Sequence, residues 1–330
     1  MIRTSWRDSK FVRSETLLYL DYNECCDSGM VDNISKFLKE LPPESLIRYP
    51  DLKKAYTSLQ EFGLDPDAVL LTGGAEHAIR AIIDVHRDAW SIAYPWPTYG
   101  MLQVFADIFG LAELEVPYSS SFELDYDKLV EGEIIYLANP DCSTGTVVGE
   151  DVVRALCDSG NIVILDETYY PFGGNTLEYL LKEYDNMYII RSFSKAYGVA
   201  GIRLGMILSN KENISKLIER KPAYEINSVA CEYLSYLARN KESVKESVAR
   251  VASGKSIVEK TLRNNGYRVK DTHANFVLVD YDAGLYDSIS KFANIRIMEI
   301  VGNKYIRVTA VDTATASKLI ASGAFNGSKA

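Results

Sequence analysis

Six short apolar runs, separated by amphipathic stretches, constrain the fold of this chain most strongly. The runs are AVLLT (68–72), SIAYP (91–95), EIIYLA (133–138), NIVILDE (161–167), MYIIRS (187–192) and GMILS (205–209). Most are apolar on both faces, which is typical of strands buried in a parallel sheet. Stretches with helical periodicity, such as AEHAIRAIIDVH and EDVVRALCDSG, lie between them. The pattern predicts an α/β core in which helices flank a mainly parallel mixed sheet.

A different pattern begins after about residue 225. Long helical stretches there are followed by ANFVLVDY, IRIMEI and YIRVTAV, with a helix on each side. This change predicts a smaller α+β domain that the N-terminal segment completes. We therefore expect a large domain over residues 31–235 and a small domain formed by residues 1–30 and 236–330.

Charge, cysteine content and hydropathy exclude several classes of protein. The net charge of −9, without a visible basic stripe, argues against a nucleic-acid surface. The five cysteines form an odd set without C-x-x-C spacing, and no secretory leader is apparent, so we expect reduced thiols and a cytoplasmic location. No apolar run approaches the roughly 18 residues of a membrane span. We expect a soluble protein whose partners are small molecules or copies of itself.

Polar residues collect where the predicted strands end. The segment LLTGGAEHA leaves a strand through two glycines and enters a helix, so the backbone N–H groups of Ala75 and Glu76 could bind an anion. Tyr99 follows the strand in IAYPWPTYG, where its ring could cover a flat ligand. A structural interpretation is also open for each, because Gly-Gly turns and packed tyrosines are common. The three histidines His77, His86 and His273 show no metal-ligand spacing, so no metal site is expected.

Two further strand ends carry polar and charged side chains whose positions indicate a chemical role. The strand in VILDETYYPF ends at Asp166, and a buried carboxylate must find a partner or become protonated. The segment RSFSKAYGVAGIRLG follows the next strand and crowds together Ser192, Ser194, Lys195 and Arg203. In an open parallel sheet, ligands bind at the carboxyl ends of the strands. These residues therefore predict one ligand site at that edge.

One cofactor, pyridoxal 5′-phosphate, requires all of these groups together. The Lys195 amine would condense with its aldehyde and, once released by substrate, carry a proton. Asp166 would hold the proton on the ring nitrogen, Tyr169 would hydrogen-bond the phenolic oxygen, and Tyr99 would stack on the ring. The phosphate would be bound by Ser192, Ser194, Arg203 and the amides of Ala75 and Glu76.

The same segments, in the same order, resemble the fold-type I, class I and II aminotransferases, and among them most of all the histidinol-phosphate aminotransferases. The matching segments are DYNE, IRYPD, TGGAEHAI, PTYG, NPDCSTGT, LDETYY, RSFSKAYGVAGIRLG, ANFVLV and YIRVT. The resemblance implies a homodimer with active sites at the subunit interface, where Tyr49 reaches the cofactor phosphate of the second subunit. It also implies that Arg307 binds the substrate carboxylate or phosphate, and that Asn23 and Glu24 lie near the substrate.

Two departures from the family pattern concern the site. The segment N-N-P-T-G of the family reads D-C-S-T-G here, so Cys142 replaces the asparagine that hydrogen-bonds the phenolic oxygen of the cofactor. One neutral hydrogen bond is worth about 0.5–1.5 kcal/mol, so we expect catalysis to survive this change. Met298 stands where the family carries a second arginine, and Arg296 lies two residues before it. This second departure bears on the substrate.

The resemblance implies a ping-pong transfer of an amino group between an amino compound and a 2-oxo acid. L-Histidinol phosphate and 2-oxoglutarate are the leading pair. The sequence leaves three alternatives open: an aromatic or other amino-acid aminotransferase, a decarboxylase similar to threonine-phosphate decarboxylase, and a non-catalytic relative. The last alternative has only Cys142 in its favour.

Overall fold

A computed structural model describes residues 17–327. Residues 1–16 and 328–330, which the predicted small domain includes, lie outside the described part. The strands are β1 (Leu18–Tyr19), β2 (Val69–Thr72), β3 (Ser91–Trp96), β4 (Ala112–Pro117), β5 (Ile134–Ala138), β6 (Ile162–Asp166), β7 (Met187–Ser192), β8 (Gly205–Leu208), β9 (Val269–Lys270), β10 (Phe276–Asp280), β11 (Ala293–Asn294), β12 (Arg296–Ile300) and β13 (Asn303–Thr309). The α-helices are α1 (Ser28–Glu40), α2 (Leu52–Leu59), α3 (Ala75–Val85), α4 (Met101–Phe109), α5 (Glu150–Asp158), α6 (Lys211–Ile218), α7 (Ser228–Arg239), α8 (Glu242–Asn264), α9 (Ala283–Ser290) and α10 (Thr313–Ala321).

The larger sheet confirms the predicted α/β fold. Its strand order is β2-β8-β7-β6-β5-β3-β4. The strands from β7 to β4 pair in parallel, whereas β8 is antiparallel to both of its neighbours. All six predicted runs are strands of this sheet. The sequence analysis missed β4, because this edge strand, AELEVP, buries only one residue and carries no apolar run.

Successive residues of the central strands pack against different helices. Leu165 of β6 belongs to the core cluster that includes Leu156 of α5, whereas Ile164 packs in the cluster that includes Ile79 of α3. The side chains of a strand alternate between the two faces of its sheet, so both faces of this sheet are covered. No helix within residues 17–327 has both the length and the apolar character of a membrane span.

The second half of the chain builds a separate antiparallel sheet of order β12-β13-β10-β9. Apolar residues of β10 and β13 pack against α8, α9 and α10 in their own core cluster. The N-terminal segment joins this unit: β1 pairs with β11, and the Thr309 amide donates a 2.9 Å hydrogen bond to the Leu20 carbonyl. The domain boundaries at residues 30 and 235 stay a prediction.

A buried ion pair joins β6 to β7 beside the strand ends. The Glu167 side chain is wholly buried, and one of its carboxylate oxygens accepts hydrogen bonds from Arg191 Nε at 3.1 Å and Nη2 at 3.0 Å. The Thr176 hydroxyl donates to the same oxygen at 2.9 Å, and the other oxygen accepts the Leu177 amide at 2.8 Å. The pair therefore holds the loop after β6 and fixes the ends of both strands.

We predict that Arg191→Met strongly destabilises the protein, because it leaves the Glu167 carboxylate buried without a counter-ion. Breaking a buried ion pair in this way costs about 3–5 kcal/mol. Arg154→Met is the matched control, since Arg154 pairs with Glu183 at 2.6 Å on the surface. An exposed pair contributes about 0–1 kcal/mol. Urea denaturation measures both variants, and equal losses of unfolding free energy would contradict the prediction.

Candidate active site

A cavity of about 280 Å³ lies at the carboxyl ends of β5, β6 and β7, beside the first turn of α3. Parallel strands end at the same edge of a sheet, so residues that are distant in sequence meet there. Most of the residues predicted to form the site line this cavity: Glu24, Ala75, Glu76, Tyr99, Cys142, Asp166, Tyr169, Ser192, Ser194, Lys195 and Arg203.

Lys195 lines the cavity. Its Nζ donates a 2.8 Å hydrogen bond to the Tyr22 carbonyl and lies 5.7 Å from the centre of the Tyr169 ring. Burial lowers the pKa of this amine to about 8, and the nearby Arg307 guanidinium acts in the same direction. A large fraction of the amine is therefore uncharged in mildly alkaline solution, which a nucleophilic or basic lysine requires.

The Asp166 side chain is buried at the end of β6. Its carboxylate accepts hydrogen bonds from the Tyr136 hydroxyl at 2.8 Å and from the Thr168 amide at 2.9 Å. Burial raises the pKa of Asp166, and the hydrogen bonds from Thr168 and Tyr136 oppose that rise. No basic side chain within the described range forms an ion pair with it. The carboxylate can thus still accept a hydrogen bond from a ligand that carries a positive N–H group.

The first turn of α3 forms an anion-binding cradle. Gly74 precedes the helix with φ 93°, and no side chain in the described part of the chain caps the N-terminus. A Cβ atom at position 74 would lie 2.7 Å from Arg203 Nη2, and one at position 205 would lie 2.9 Å from the Ala75 amide nitrogen. Glycine at both positions therefore lets the backbone amides and the Arg203 guanidinium approach one point. Free amides at a helix N-terminus together with a guanidinium favour a phosphate.

Serine hydroxyls complete the cradle. Ser192 and Ser194 are both buried, and the Ser194 amide donates a 3.1 Å hydrogen bond to Ser192 Oγ. Across the cavity, Tyr99 Oη donates to Glu76 Oε2 at 3.3 Å. Burial raises the pKa of the Tyr99 phenol, and the Glu76 carboxylate adds to that effect. Tyr99 is therefore a neutral aromatic wall of the cavity.

A buried aspartate fixes the loop that carries Cys142. Asp141 accepts the amides of Ser143 and Thr144, both at 2.8 Å, and the Thr98 hydroxyl at 2.6 Å. The loop thereby presents the Cys142 side chain to the cavity. Burial raises the pKa of the Cys142 thiol to about 12, so this group stays protonated and offers only a weak S–H donor.

Two predicted substrate residues, Arg307 and Asn23, lie beside the cavity and do not line it. Arg307 Nη1 donates to the Cys142 carbonyl at 2.9 Å, and Nη2 donates to the Asp21 carbonyl at 2.8 Å. Arg307 Nε is buried and has no hydrogen-bond partner among the residues that the structure describes. Asn23 Nδ2 donates to the Tyr169 hydroxyl at 3.3 Å. Both residues therefore contact the wall of the cavity.

Tyr49 does not line the cavity. Its side chain is 80% exposed and stacks on Tyr224, with ring centroids 4.7 Å apart. The two tyrosines line a neighbouring groove together with Gly73 and Arg203. Since Arg203 borders both the groove and the cavity, a group entering along the groove would reach the anion cradle.

The sequence analysis missed five residues of the cavity wall: Tyr22, Tyr136, Ala138, Thr168 and Ala200. Tyr136 lies in the apolar run EIIYLA, two residues before the end of β5, so its strand position was a usable signal. Thr168 is part of the segment DETYY, which the analysis had already selected. The backbone carbonyl of Tyr22 accepts a hydrogen bond from Lys195, and no side-chain pattern predicts such a contact.

Two other observations limit the chemistry. No group of three or more His, Cys, Asp and Glu side chains within residues 17–327 could hold a metal ion. A second cavity of about 300 Å³ lies beside α3 and α6 and holds none of the predicted site residues. Two ion pairs lie in its wall, Lys221 with Glu225 at 2.9 Å and Arg220 with Asp84 at 3.8 Å.

The cavity therefore fits a flat ligand that carries a phosphate, a ring N–H group and a function that reacts with an amine. The cradle at α3 suits the phosphate, the unpaired Asp166 carboxylate suits a protonated ring nitrogen, and Lys195 supplies the amine. These are the requirements of pyridoxal 5′-phosphate.

Comparison with known proteins agrees with this geometry. The family described as "Aminotransferase class I and II" matches residues 44–322. A histidinol-phosphate aminotransferase from Pyrococcus furiosus is 29% identical over 301 residues, which cover 88% of this chain and 87% of that protein.

Two solved structures share the fold. Histidinol-phosphate aminotransferase from Sinorhizobium meliloti, in complex with pyridoxal-5′-phosphate, has a TM-score of 0.80 at 19% identity, covering 99% of this chain and 97% of that one. L-Threonine-O-3-phosphate decarboxylase from Porphyromonas gingivalis has a TM-score of 0.77 at 18% identity, covering 93% and 98%. The chain belongs to the class I and II aminotransferases, and it is a transaminase that uses pyridoxal 5′-phosphate.

Proposed function

We propose that this transaminase moves an amino group between L-histidinol phosphate and 2-oxoglutarate in a ping-pong cycle of histidine biosynthesis. Arg307 carries the choice of an anionic substrate. It is a buried cation beside the cavity, and its Nε has no hydrogen-bond partner among the described residues. The relative from Pyrococcus furiosus, which is named a histidinol-phosphate aminotransferase and matches 88% of this chain, supports the choice of substrate.

The residues of the cavity have separate tasks toward the cofactor. Ser192, Ser194, Arg203 and the amides of Ala75 and Glu76 hold the phosphate. Asp166 holds a proton on the ring nitrogen, and Tyr99 covers the ring. Tyr169 donates to the phenolic oxygen, where Cys142 adds at most a weak S–H contact. When bound, pyridoxal phosphate supplies an electron-withdrawing ring and an aldehyde that can exchange amino groups.

Lys195 performs the acid–base work. Because burial lowers its pKa to about 8, the amine can lose its proton at a modest cost and then accept one from the substrate carbon. The Tyr22 carbonyl, 2.8 Å from Nζ, orients the amine while it is free. Asp166 keeps its negative charge opposite the ring nitrogen, so that the proton there is retained throughout.

Arg307 is placed to receive the anionic group of each substrate. A guanidinium has five N–H donors, and among the described residues Arg307 donates two hydrogen bonds, both to neutral carbonyls. No carboxylate among the described residues forms an ion pair with it. Arg296 lies directly opposite Arg307 across the β12–β13 pair, and cross-strand partners point to the same face. The two arginines thus give this face a positive potential, although Met298 stands where the family has its second arginine.

We also propose that the protein forms a homodimer with shared active sites and that it is cytoplasmic. Tyr49 is 80% exposed on a groove that Arg203 borders, which suits a side chain that completes the phosphate site of a second subunit. Leu46 and Ile47, exposed by 73% and 83%, surround it with apolar surface that a partner would cover. All five cysteines are free thiols, as expected for a cytoplasmic protein.

We predict that Lys195→Met abolishes covalent attachment of the cofactor, because no other amine lines the cavity among the described residues. Borohydride reduction followed by mass spectrometry of the peptides measures the attachment. Lys255→Met is the matched control: burial also lowers the pKa of Lys255, but its amine donates to the Thr272 and Ala274 carbonyls outside the cavity. Attachment that persists in Lys195→Met would refute the assignment.

We predict that the rate of cofactor attachment rises with pH through about 8 and then levels off. The uncharged amine is the reactive form, and burial lowers the pKa of Lys195 from its usual 10.5 to this value, so the reactive fraction saturates early. Stopped-flow absorbance of the cofactor-free protein mixed with pyridoxal phosphate gives the rates. A rate that still increases in proportion to hydroxide up to pH 10 would mean that the lysine keeps an ordinary pKa.

We predict that L-glutamate and L-histidinol phosphate each convert the bound cofactor to its amino form, whereas L-histidinol, which lacks the phosphate, reacts at least about 30-fold more slowly. Loss of a buried, hydrogen-bonded charge pair costs about 2–5 kcal/mol, so Arg307→Met should remove most of this preference. Arg263→Met, which changes an exposed arginine paired with Asp271, is the control. Single-turnover absorbance measures the conversion.

The same experiment separates the alternatives. Conversion by glutamate but not by L-histidinol phosphate would keep the transaminase and reject the proposed donor, and faster conversion by an aromatic amino acid would name another. Release of carbon dioxide from L-threonine phosphate, without any need for an oxo acid, would instead favour the decarboxylase.

A further inference from the structure

Tyr136 is a wholly buried tyrosine, and within residues 17–327 its hydroxyl has one hydrogen-bond partner, the Asp166 carboxylate. The side chain is 0% exposed, and Oη donates to Asp166 Oδ2 at 2.8 Å. A neutral residue without a hydroxyl would fill the same apolar surroundings without desolvating a polar group. The phenol therefore has a task that involves the carboxylate.

Strand register explains how the two residues meet. Tyr136 of β5 pairs with Ile164 of β6, and Ala138 pairs with Asp166. Tyr136 and Asp166 are thus diagonal neighbours on the same face of the sheet, within reach of a long aromatic side chain. Both strands are held in this register by the sheet on either side, so the Tyr136 hydroxyl is a fixed donor.

The hydrogen bond from Tyr136 fixes the orientation of the Asp166 carboxylate and leaves some of its acceptor positions free. The Thr168 amide occupies Oδ1 at 2.9 Å and the Tyr136 hydroxyl occupies Oδ2 at 2.8 Å. A carboxylate offers about four lone-pair sites, so acceptor positions remain for a ligand in the cavity. The two donors define the plane of the carboxylate and stabilise its ionised form, since bonds to a charged acceptor are the stronger ones. Asp141 is a second buried carboxylate nearby and opposes ionisation of Asp166.

We propose that Tyr136 is a positioning residue of the transamination: its hydroxyl keeps Asp166 ionised and aimed at the ring nitrogen of the cofactor. The proposal rests on the role proposed above for Asp166. Tyr136 acts only through that carboxylate. It therefore matters for ligands that present a ring N–H group and not for ligands without one.

Tyr136→Phe tests the proposal, because it removes one oxygen and keeps the buried ring. The dissociation constant of the cofactor-free protein is measured for pyridoxal phosphate and for an analogue whose ring nitrogen is replaced by carbon. We expect Tyr136→Phe to weaken pyridoxal phosphate binding roughly 10- to 100-fold, because the variant loses a hydrogen bond to a charged group. The affinity for the carbon analogue should stay the same. For the glutamate half-reaction, kcat should fall while KM changes little.

Tyr188→Phe is the matched control. Tyr188 of β7 pairs with Ile164 from the other side and is 1% exposed, and its hydroxyl lies 2.8 Å from His86 Nε2, away from the cavity. This variant should leave both dissociation constants and kcat unchanged. Thermal unfolding of the two cofactor-free variants shows whether both remain folded.

Asp166→Asn, alone and combined with Tyr136→Phe, separates the two proposals. If Tyr136 acts through Asp166, the double variant binds pyridoxal phosphate no more weakly than Asp166→Asn alone. Equal weakening of both ligands by Tyr136→Phe, additive losses in the double variant, or unchanged binding would each overturn the positioning role. An Asp166→Asn protein with normal binding and turnover would instead refute the role of Asp166, whatever Tyr136→Phe does.

Discussion

The parallel pairing of β6 with β5 and β7 is the constraint on which the site depends. It aligns Asp166 with Ala138 on one side and Ile190 on the other, so the loops that carry Cys142 and Lys195 start from the same edge. The buried Glu167–Arg191 pair secures that edge from within the chain. A shift of one residue in either strand would turn the Asp166 side chain to the opposite face. The cavity exists only in this register.

The site is positively charged, whereas the protein as a whole is negatively charged. The chain carries a net charge of −9, yet the cavity region gathers Lys195, Arg203 and Arg307 with the N-terminus of α3. Burial lowers the pKa values of Lys195 and Arg307, which shows that the positive charge there is held at a cost. The phosphate of the cofactor would relieve this cost on binding. The acidic exterior and the cationic site together favour small anions over polyanions as ligands.

The sequence predicted the α/β fold and most of the cavity wall because the chemistry-bearing residues follow strongly apolar strands. It missed β4, whose exposed edge position leaves no apolar run, and it missed Tyr136, whose contact with Asp166 depends on which strands become neighbours. Single-chain spacing cannot report that adjacency, since residues 136 and 166 belong to strands joined through α5. It could not predict the Lys195–Tyr22 contact either, because a backbone carbonyl has no residue signature.

The sequence by itself indicated the family and the cofactor, because the reactive groups stand in an order and chemical context that few other functions require, but it left transamination, decarboxylation and a non-catalytic relative open. The tertiary structure decided what those groups can do. It set the pKa of Lys195 at about 8 by burial, gave Asp166 its two donors, and left one Arg307 nitrogen unpaired. These properties arise from solvent exclusion and from contacts between distant segments, and neither can be predicted from the order of residues along the chain.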